Sequence, residues 1–524
     1  MSQPQHALQH PETVRSSFPV RMVVSWEARA ALVIVFVSAV LRLLALGGMS
    51  TDYDEGVYWQ SLRAMAAGHP LFSSIFSSQP PLFLISEYPV YMLFGQTLAA
   101  ARLGVALLSL VGLVAIYWTG AALGRRGIGL VACLLLASDP AYFHESHILQ
   151  ADAPSVAIGI LAVAVAAMAS RSAGPKRRLT LAVVAGLFIG LGMMLKLYDV
   201  VMIVPTAILL TTPLWKALAP GAILTRPLPR VPGATFREAI WMLVALAGGV
   251  VAAAGLVVLP FAASWSQFWQ QAVQFHLAAE HAASQGLLFN IKLLIKDGQA
   301  YPLGILSVIA MIDAWNRRSW LILPSVLWLL VSVLLLLGQQ PLFEHHLVLL
   351  SPPLALTGSF LLGRGWLKVT PADRKVLTRI PRVVMIVATV CVIVSLSLTM
   401  RDLQGANQPV TSTDAQMALA LQGQTLRSDL VVTDDQYVAG LADRSVPPAL
   451  VDTSTVRIES GYLTAAQLES IITRDDVRAI LFASGRFNQI PGFRAWVASQ
   501  FTSVATFGPG QTLYIKLAAG PPLA

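Results

Sequence analysis

Charged residues are scarce in this chain. Asp, Glu, Lys and Arg together make up 12% of its 524 residues, about half the share found in soluble domains, which excludes an ordinary water-soluble fold. Cysteine is scarcer still: only Cys133 and Cys391 occur, both inside apolar runs, so no disulfide framework is expected outside a membrane. There is neither a glycine-rich phosphate loop nor a dinucleotide fingerprint, so no nucleotide cofactor is expected. Acidic residues number 27 against 36 basic ones, few enough that the places where they gather are informative.

Long apolar runs are what the sequence has in plenty. Hydrophobic residues make up 56% of the chain and the mean hydropathy is +0.66, as expected of a polytopic α-helical membrane protein. About eleven spans are predicted, near 28–48, 97–121, 128–143, 151–170, 179–195, 197–213, 239–262, 299–314, 319–338, 345–363 and 382–400. With the N-terminal segment 1–27 inside, twenty Lys and Arg fall in cytoplasmic segments, among them Arg125, Arg126, Lys176, Arg177, Arg178, Lys216, Arg226, Arg230, Arg317, Arg318, Lys368, Arg374 and Lys375. The opposite loops hold four, Arg63, Lys196, Lys292 and Lys296. This asymmetry orients the chain and explains its net charge of +9 without nucleic acid. The first apolar run is too long for the core of a cleaved signal and is expected to stay as an anchor.

The loop 49–96 is too long to be a mere connector; helical spacing at Tyr58, Trp59, Leu62, Met65 and Ala66, then Gly68 and Pro70, predicts an interfacial helix followed by a second apolar segment at 82–94 lying on the outer leaflet. A further outer loop, 263–298, carries Trp265, Phe268, Trp269 and Phe275, aromatics suited to an interface. From 401 to 524 the charges are mixed, nine basic and eleven acidic, and short apolar runs at 430–433, 449–451, 479–483, 503–507 and 512–517 alternate with helical patterns at 464–473 and 491–500. That alternation predicts a small extracytoplasmic α/β domain. The core 28–400 is then a transmembrane domain.

Two acidic groups stand out. Asp52, Asp54 and Glu55 follow the first span, where they could cap the next helix, accept a proton from a hydroxyl or bind a cation. Asp139, His144, Glu145, His147 and Asp152 gather at the outer turn after the third span, and a carboxylate at the start of a span, as Asp152 is, is costly unless partnered or functional. Lys196 lies in a tight outer turn beside Tyr198 and Asp199, where it could hold an anionic partner or pair with Asp199. Glu344, His345 and His346 follow Pro341 in a later outer loop; His276, Glu280 and Glu344 are candidate ligands for a divalent cation.

The run DYDEGVYW after the first span, QPPL in the same loop, ARLG in the second span and SHILQADAP at the next outer turn resemble the C-type glycosyltransferases (GT-C) that use polyprenyl-phosphate sugars, in particular the family of protein O-mannosyltransferases and lipid A aminoarabinose transferases. The resemblance covers the first two hundred residues in order of loops and spans. It implies a GT-C fold, a lipid-phosphate-linked sugar donor, a protein, lipid or glycan acceptor, and transfer at the outer face, with Asp54 as base, Glu55 beside it and Asp152 in the site. Gln79 stands where many relatives have Lys, and His147 where mannosyltransferases often have Arg; Lys196, Arg102, His276, His281, His345 and His346 are the candidates to supply the missing positive charge near a donor phosphate. A lipid flippase or transporter is the competing reading, and a membrane anchor presenting the C-terminal domain is a third. Transporter sites lie near the bilayer midplane and often within internal repeats, whereas the acidic residues here crowd at one surface and no repeat is found.

Overall fold

The computed structural model describes residues 25–48, 52–172, 174–212, 236–282, 285–296, 300–317, 319–363, 382–407 and 412–516. The expected basic residues Arg15, Arg21, Lys216, Arg226, Arg230, Arg318, Lys368, Arg374, Lys375 and Arg379 lie outside them.

Helices follow one another with short connections: α1 (Trp26–Ala45), α2 (Tyr53–Ala66), α3 (Leu82–Leu93), α4 (Leu98–Leu123), α5 (Arg126–Ala137), α6 (Pro140–Glu145), α7 (Asp152–Ala169) and α8 (Pro175–Leu195), then a 3-10 turn (Leu197–Met202) running into α9 (Ile203–Leu210). The second half holds α10 (Phe236–Ala282), α11 (Leu287–Lys296), α12 (Tyr301–Asn316), α13 (Trp320–Gly338), α14 (Glu344–Leu362) and α15 (Arg382–Ala406). Among the described residues eight helices, α1, α4, α7, α8, α10, α13, α14 and α15, are long and apolar enough to cross a membrane.

The buried centre is α7, flanked by α4 and α8. Small residues allow these helices to approach closely, as membrane helices must when apolar surface alone gives no drive to associate. At the crossing of α8 and α10 a side-chain carbon on Gly186 would lie 2.1 Å from the Leu246 carbonyl oxygen, so only glycine fits. On the outside, Leu32 and Phe36 of α1, Val251 and Leu256 of α10 and Val383 and Ile386 of α15 are exposed, forming an apolar exterior suited to lipid.

Three departures from the sequence reading have local causes. The span predicted at 128–143 is the twelve-residue α5, ended before Asp139-Pro140, where Asp139 accepts a hydrogen bond from the Tyr142 amide and starts the separate α6. The predicted interfacial loop 263–298 is mostly helix: α10, 47 residues long, continues past its apolar part, and Phe268 packs edge-to-face on Phe72 of the segment between α2 and α3 at 5.0 Å while Trp265 and Trp269 stay exposed. The apolar run 449–451 is no strand; Pro448 opens a 3-10 turn there (Pro448–Leu450).

The C-terminal region folds as expected into a small α/β unit. Four strands, β1 (Val431–Thr433), β2 (Ala479–Phe482), β3 (Thr502–Gly508) and β4 (Gln511–Ile515), form a sheet in the order β1-β2-β4-β3, with β1 and β2 parallel and β4 antiparallel to both neighbours. Phe482, Phe487 and Phe493 fill the core on one side of it. On the other side the unit sits on α2. Gly56 is the point of closest approach, since a side-chain carbon there would lie 2.4 Å from the Tyr437 amide nitrogen.

Candidate active site

Helix α2 begins the site. The carboxylate of Asp52 accepts a hydrogen bond from the Asp54 amide at 2.8 Å and so caps the helix, placing Asp54 in its first turn, where the positive end of the helix favours an acid. The next residue, Glu55, turns away from the Asp54 side into the protein. Arg102 of α4 grips it with two parallel bonds of 2.7 and 2.6 Å, and the Leu149 amide adds a third of 2.6 Å. Both partners are 1% exposed or less. The remaining Arg102 nitrogen donates to the Leu46 and Gly48 carbonyls at 2.9 and 2.5 Å. Glu55 and Arg102 therefore form a structural clasp between the connection after α1 and the one before α7, a correction to the expectation that Arg102 faces a donor phosphate.

Asp54 instead lines a cavity of about 1680 Å³ shared with Gln79, His147, Lys196, His276, Glu280, Glu344, His345 and His346. Asp152 stands behind Lys196. It is the first residue of α7, and Lys196 follows the last residue of α8, so the N-terminal end of one helix meets the C-terminal end of the other and each helix dipole favours the charge beside it. The Lys196 amine lies 2.5 Å from one Asp152 oxygen, and the Tyr198 hydroxyl donates to the other at 3.0 Å. Lys196 thus pairs with Asp152, and not with the Asp199 that the sequence left open to it. Asp199 is buried elsewhere, against the backbone of Gly192 and Gly159.

The electrostatics single out Asp54. Burial, the neighbouring Asp52 and, further off, Asp452 and Asp152 disfavour its charge, while Lys196 opposes them; the result is a carboxyl pushed up to about 8. A carboxyl in that range exchanges a proton near neutral pH, as a general base requires.

The expected cation set does not assemble. His276 donates its Nε2 proton to the Ser78 carbonyl at 2.6 Å, and Glu280 and Glu344 are exposed on other parts of the wall. Among the described residues the groups close enough to share an ion are Asp152, His345 and His346, and His144, His147 and Asp402. His345 also stands 3.9 Å from Asp52.

Two contributions were not anticipated. Asp402, near the C-terminal end of α15, reaches His144 at 2.8 Å. The C-terminal unit supplies Asp452, Ser454 and Arg486 to the cavity, and it is latched to α2 there: the Tyr53 hydroxyl accepts from the Thr453 amide at 2.6 Å and the Arg486 guanidinium lies 3.9 Å over the Tyr53 ring. The tail's mixed charge was the available signal, and it carried no hint of which residues would face inward.

Residues 78–236 match the family of dolichyl-phosphate-mannose-protein mannosyltransferases. The structure is similar to that of ArnT from Cupriavidus metallidurans bound to undecaprenyl phosphate, with a TM-score of 0.62 at 14% identity over 94% of this chain and 99% of that one. The chain has the GT-C fold. It is also similar to the apo oligosaccharyltransferase of Archaeoglobus fulgidus, with a TM-score of 0.55 at 12% identity over 96% of this chain and 76% of that one. By sequence, no curated protein matches it significantly. This GT-C protein is a multi-pass membrane protein whose cavity is walled by turns at one end of its helices and by its C-terminal sheet unit.

Proposed function

We propose that this chain is a membrane glycosyltransferase that moves a sugar from a polyprenyl-phosphate carrier to an acceptor hydroxyl on the extracytoplasmic face. The observation that carries this reading is the half-buried Asp54 carboxyl sharing one cavity with the Lys196 amine, in a fold also found in ArnT bound to undecaprenyl phosphate. A sugar on a lipid phosphate is already activated, so the chemistry needs a base, a cationic partner for the leaving phosphate and an enclosed cavity.

In the proposed step the acceptor oxygen bonds to the anomeric carbon while the bond from that carbon to the phosphate oxygen breaks. The acceptor proton passes to Asp54 and the bonding electrons leave with the polyprenyl phosphate. A single displacement of this kind inverts the anomeric centre. Lys196, held by Asp152 and Tyr198, meets the developing phosphate charge. Gln79, His147, His345 and His346 line the same wall and bind the donor. The excess of basic residues on one side supports an N-terminus in the cytoplasm, which puts the cavity and the domain 401–524 outside.

The test is transfer of a radiolabelled sugar from a panel of polyprenyl-phosphate sugars by the purified protein in lipid, wild type against Asp54→Asn. Turnover abolished by the substitution with donor binding intact supports the assignment. Turnover that persists moves the base to another residue, and lipid flipping without transfer by the wild type would replace this reading by the transporter one.

A further inference from the structure

Helix α6 ends in a His-Glu-Ser-His run that faces the outer end of α15. His144 Nδ1 is 2.8 Å from one oxygen of Asp402, and His147 Nε2 is 3.7 Å from the other, too far for a hydrogen bond. His147 Nδ1 lies 2.8 Å from the Phe143 carbonyl, which can only accept, so the ring proton sits on Nδ1 and fixes the tautomer that presents the Nε2 lone pair to Asp402. Two electron-rich atoms thus face each other. Asp402 Oδ2 is buried and has no hydrogen-bond partner among the described residues, and the same is true of Glu145 Oε2 in the same turn. A backbone carbonyl fixing one nitrogen of a histidine while the other points at a carboxylate is the usual support of a metal-binding imidazole.

We propose that His144, His147 and Asp402 bind one divalent transition-metal ion, zinc by the donor set, on the wall of the cavity. Ligand atoms on a tetrahedral zinc stand about 3.4 Å apart, given bonds of about 2.0–2.2 Å. The two separations at Asp402, 2.8 and 3.7 Å, straddle that value. The frame is fixed, because Ser395 and Thr399 of α15 both donate to the Ser138 carbonyl at the start of the same outer turn, at 2.7 and 3.0 Å. All three ligands line the cavity and His144 is 44% exposed, so the fourth position opens into it. Three protein ligands with one open position make a site able to take an anionic or hydroxyl ligand. The other histidine group is the poorer host, since Lys196 and Tyr198 already hold both oxygens of Asp152. The site does not depend on the transferase reading, although the two share His147: with the ion in place, His147 meets the donor through the metal and not directly.

The experiment is zinc titration of the full-length protein in lipid nanodiscs after chelator treatment, followed by calorimetry and metal analysis. Wild type takes up a single zinc ion. His147→Gln and Asp402→Asn each weaken binding by about tenfold or more, and His345→Gln leaves it unchanged. Zinc raises the thermal midpoint of wild type and not of the two variants. X-ray absorption at the zinc edge of the wild type, which depends on no variant, shows two imidazoles. Absence of binding, binding that survives both substitutions, an edge spectrum without imidazole, or loss on His345→Gln would overturn the site; in the first case a proton on His147 and a plain ion pair account for the geometry.

Discussion

The two faces of α2 differ more than their sequence suggests. Asp54 and Glu55 are adjacent carboxylates, yet one faces a cavity and the other is sealed into the protein by Arg102 and the Leu149 amide. The cavity face keeps a proton-exchanging acid among other acids. The sealed face carries Glu55, Gly56 and Trp59 and makes the joints to α4 and to the C-terminal unit. The difference teaches that neighbouring acids are told apart by their partners: Arg102 neutralises Glu55, whereas Asp54 is left facing the cavity.

The largest effect should come from Asp54→Asn. Transfer falls by about 10²–10⁴-fold, the range for loss of a general base, while the thermal midpoint and donor binding hold. A comparable loss of activity with a lowered midpoint would put Asp54 on the structural side and collapse the distinction. Glu55→Gln should do the reverse. Removing one partner of a fully buried ion pair costs about 3–5 kcal/mol, visible as a lower midpoint and poor yield. The double variant Glu55→Gln, Arg102→Met should recover part of that loss, because it leaves no unpaired buried charge. If the single variant were stable but inactive, Glu55 would belong with Asp54.

A middle-sized effect is expected at the joint itself. Gly56→Ala forces a carbon against the Tyr437 backbone, and overpacking of this sort costs about 1–3 kcal/mol. The strain falls on the contact between α2 and the C-terminal unit, so limited proteolysis should release the fragment beyond residue 407 more readily than in wild type. Unchanged proteolysis would mean that the unit is held by other contacts, such as Arg63 to Asp443 at 2.8 Å.

Much of this was legible in the sequence, and the parts that were not share a cause. Apolar runs and basic asymmetry gave the membrane character, and the acid at Asp54 and the Lys196 turn both reach one cavity wall, with Asp152 bonded to Lys196 behind it. The C-terminal strands near 431, 479, 503 and 512 follow from short apolar runs, but their order β1-β2-β4-β3 does not. Glu55 could not be told from Asp54 because its partners are 47 and 94 residues away, and Asp402 went unseen because its histidine lies 258 residues earlier. Local pattern shows which groups are charged; only the packing of distant segments decides which of them are neutralised.

The smallest and most discriminating change is Asp52→Asn. Asparagine caps a helix as well as aspartate does, so α2 should keep its start and the plateau rate should be close to that of wild type. What is lost is a negative charge beside Asp54, the largest contributor after burial to raising that carboxyl to about 8. The sign follows directly. A base works in its deprotonated form, so activity rises with pH below about 8 and levels off above it; taking away the neighbouring charge favours the deprotonated form and moves the rising limb to lower pH. The rate at pH 7 should therefore increase while the rate at pH 9 stays level. A limb that does not move would mean that Asp54 is not the group whose titration sets the rate, and a plateau that collapses would place Asp52 on the catalytic face as well, making that face two residues deep.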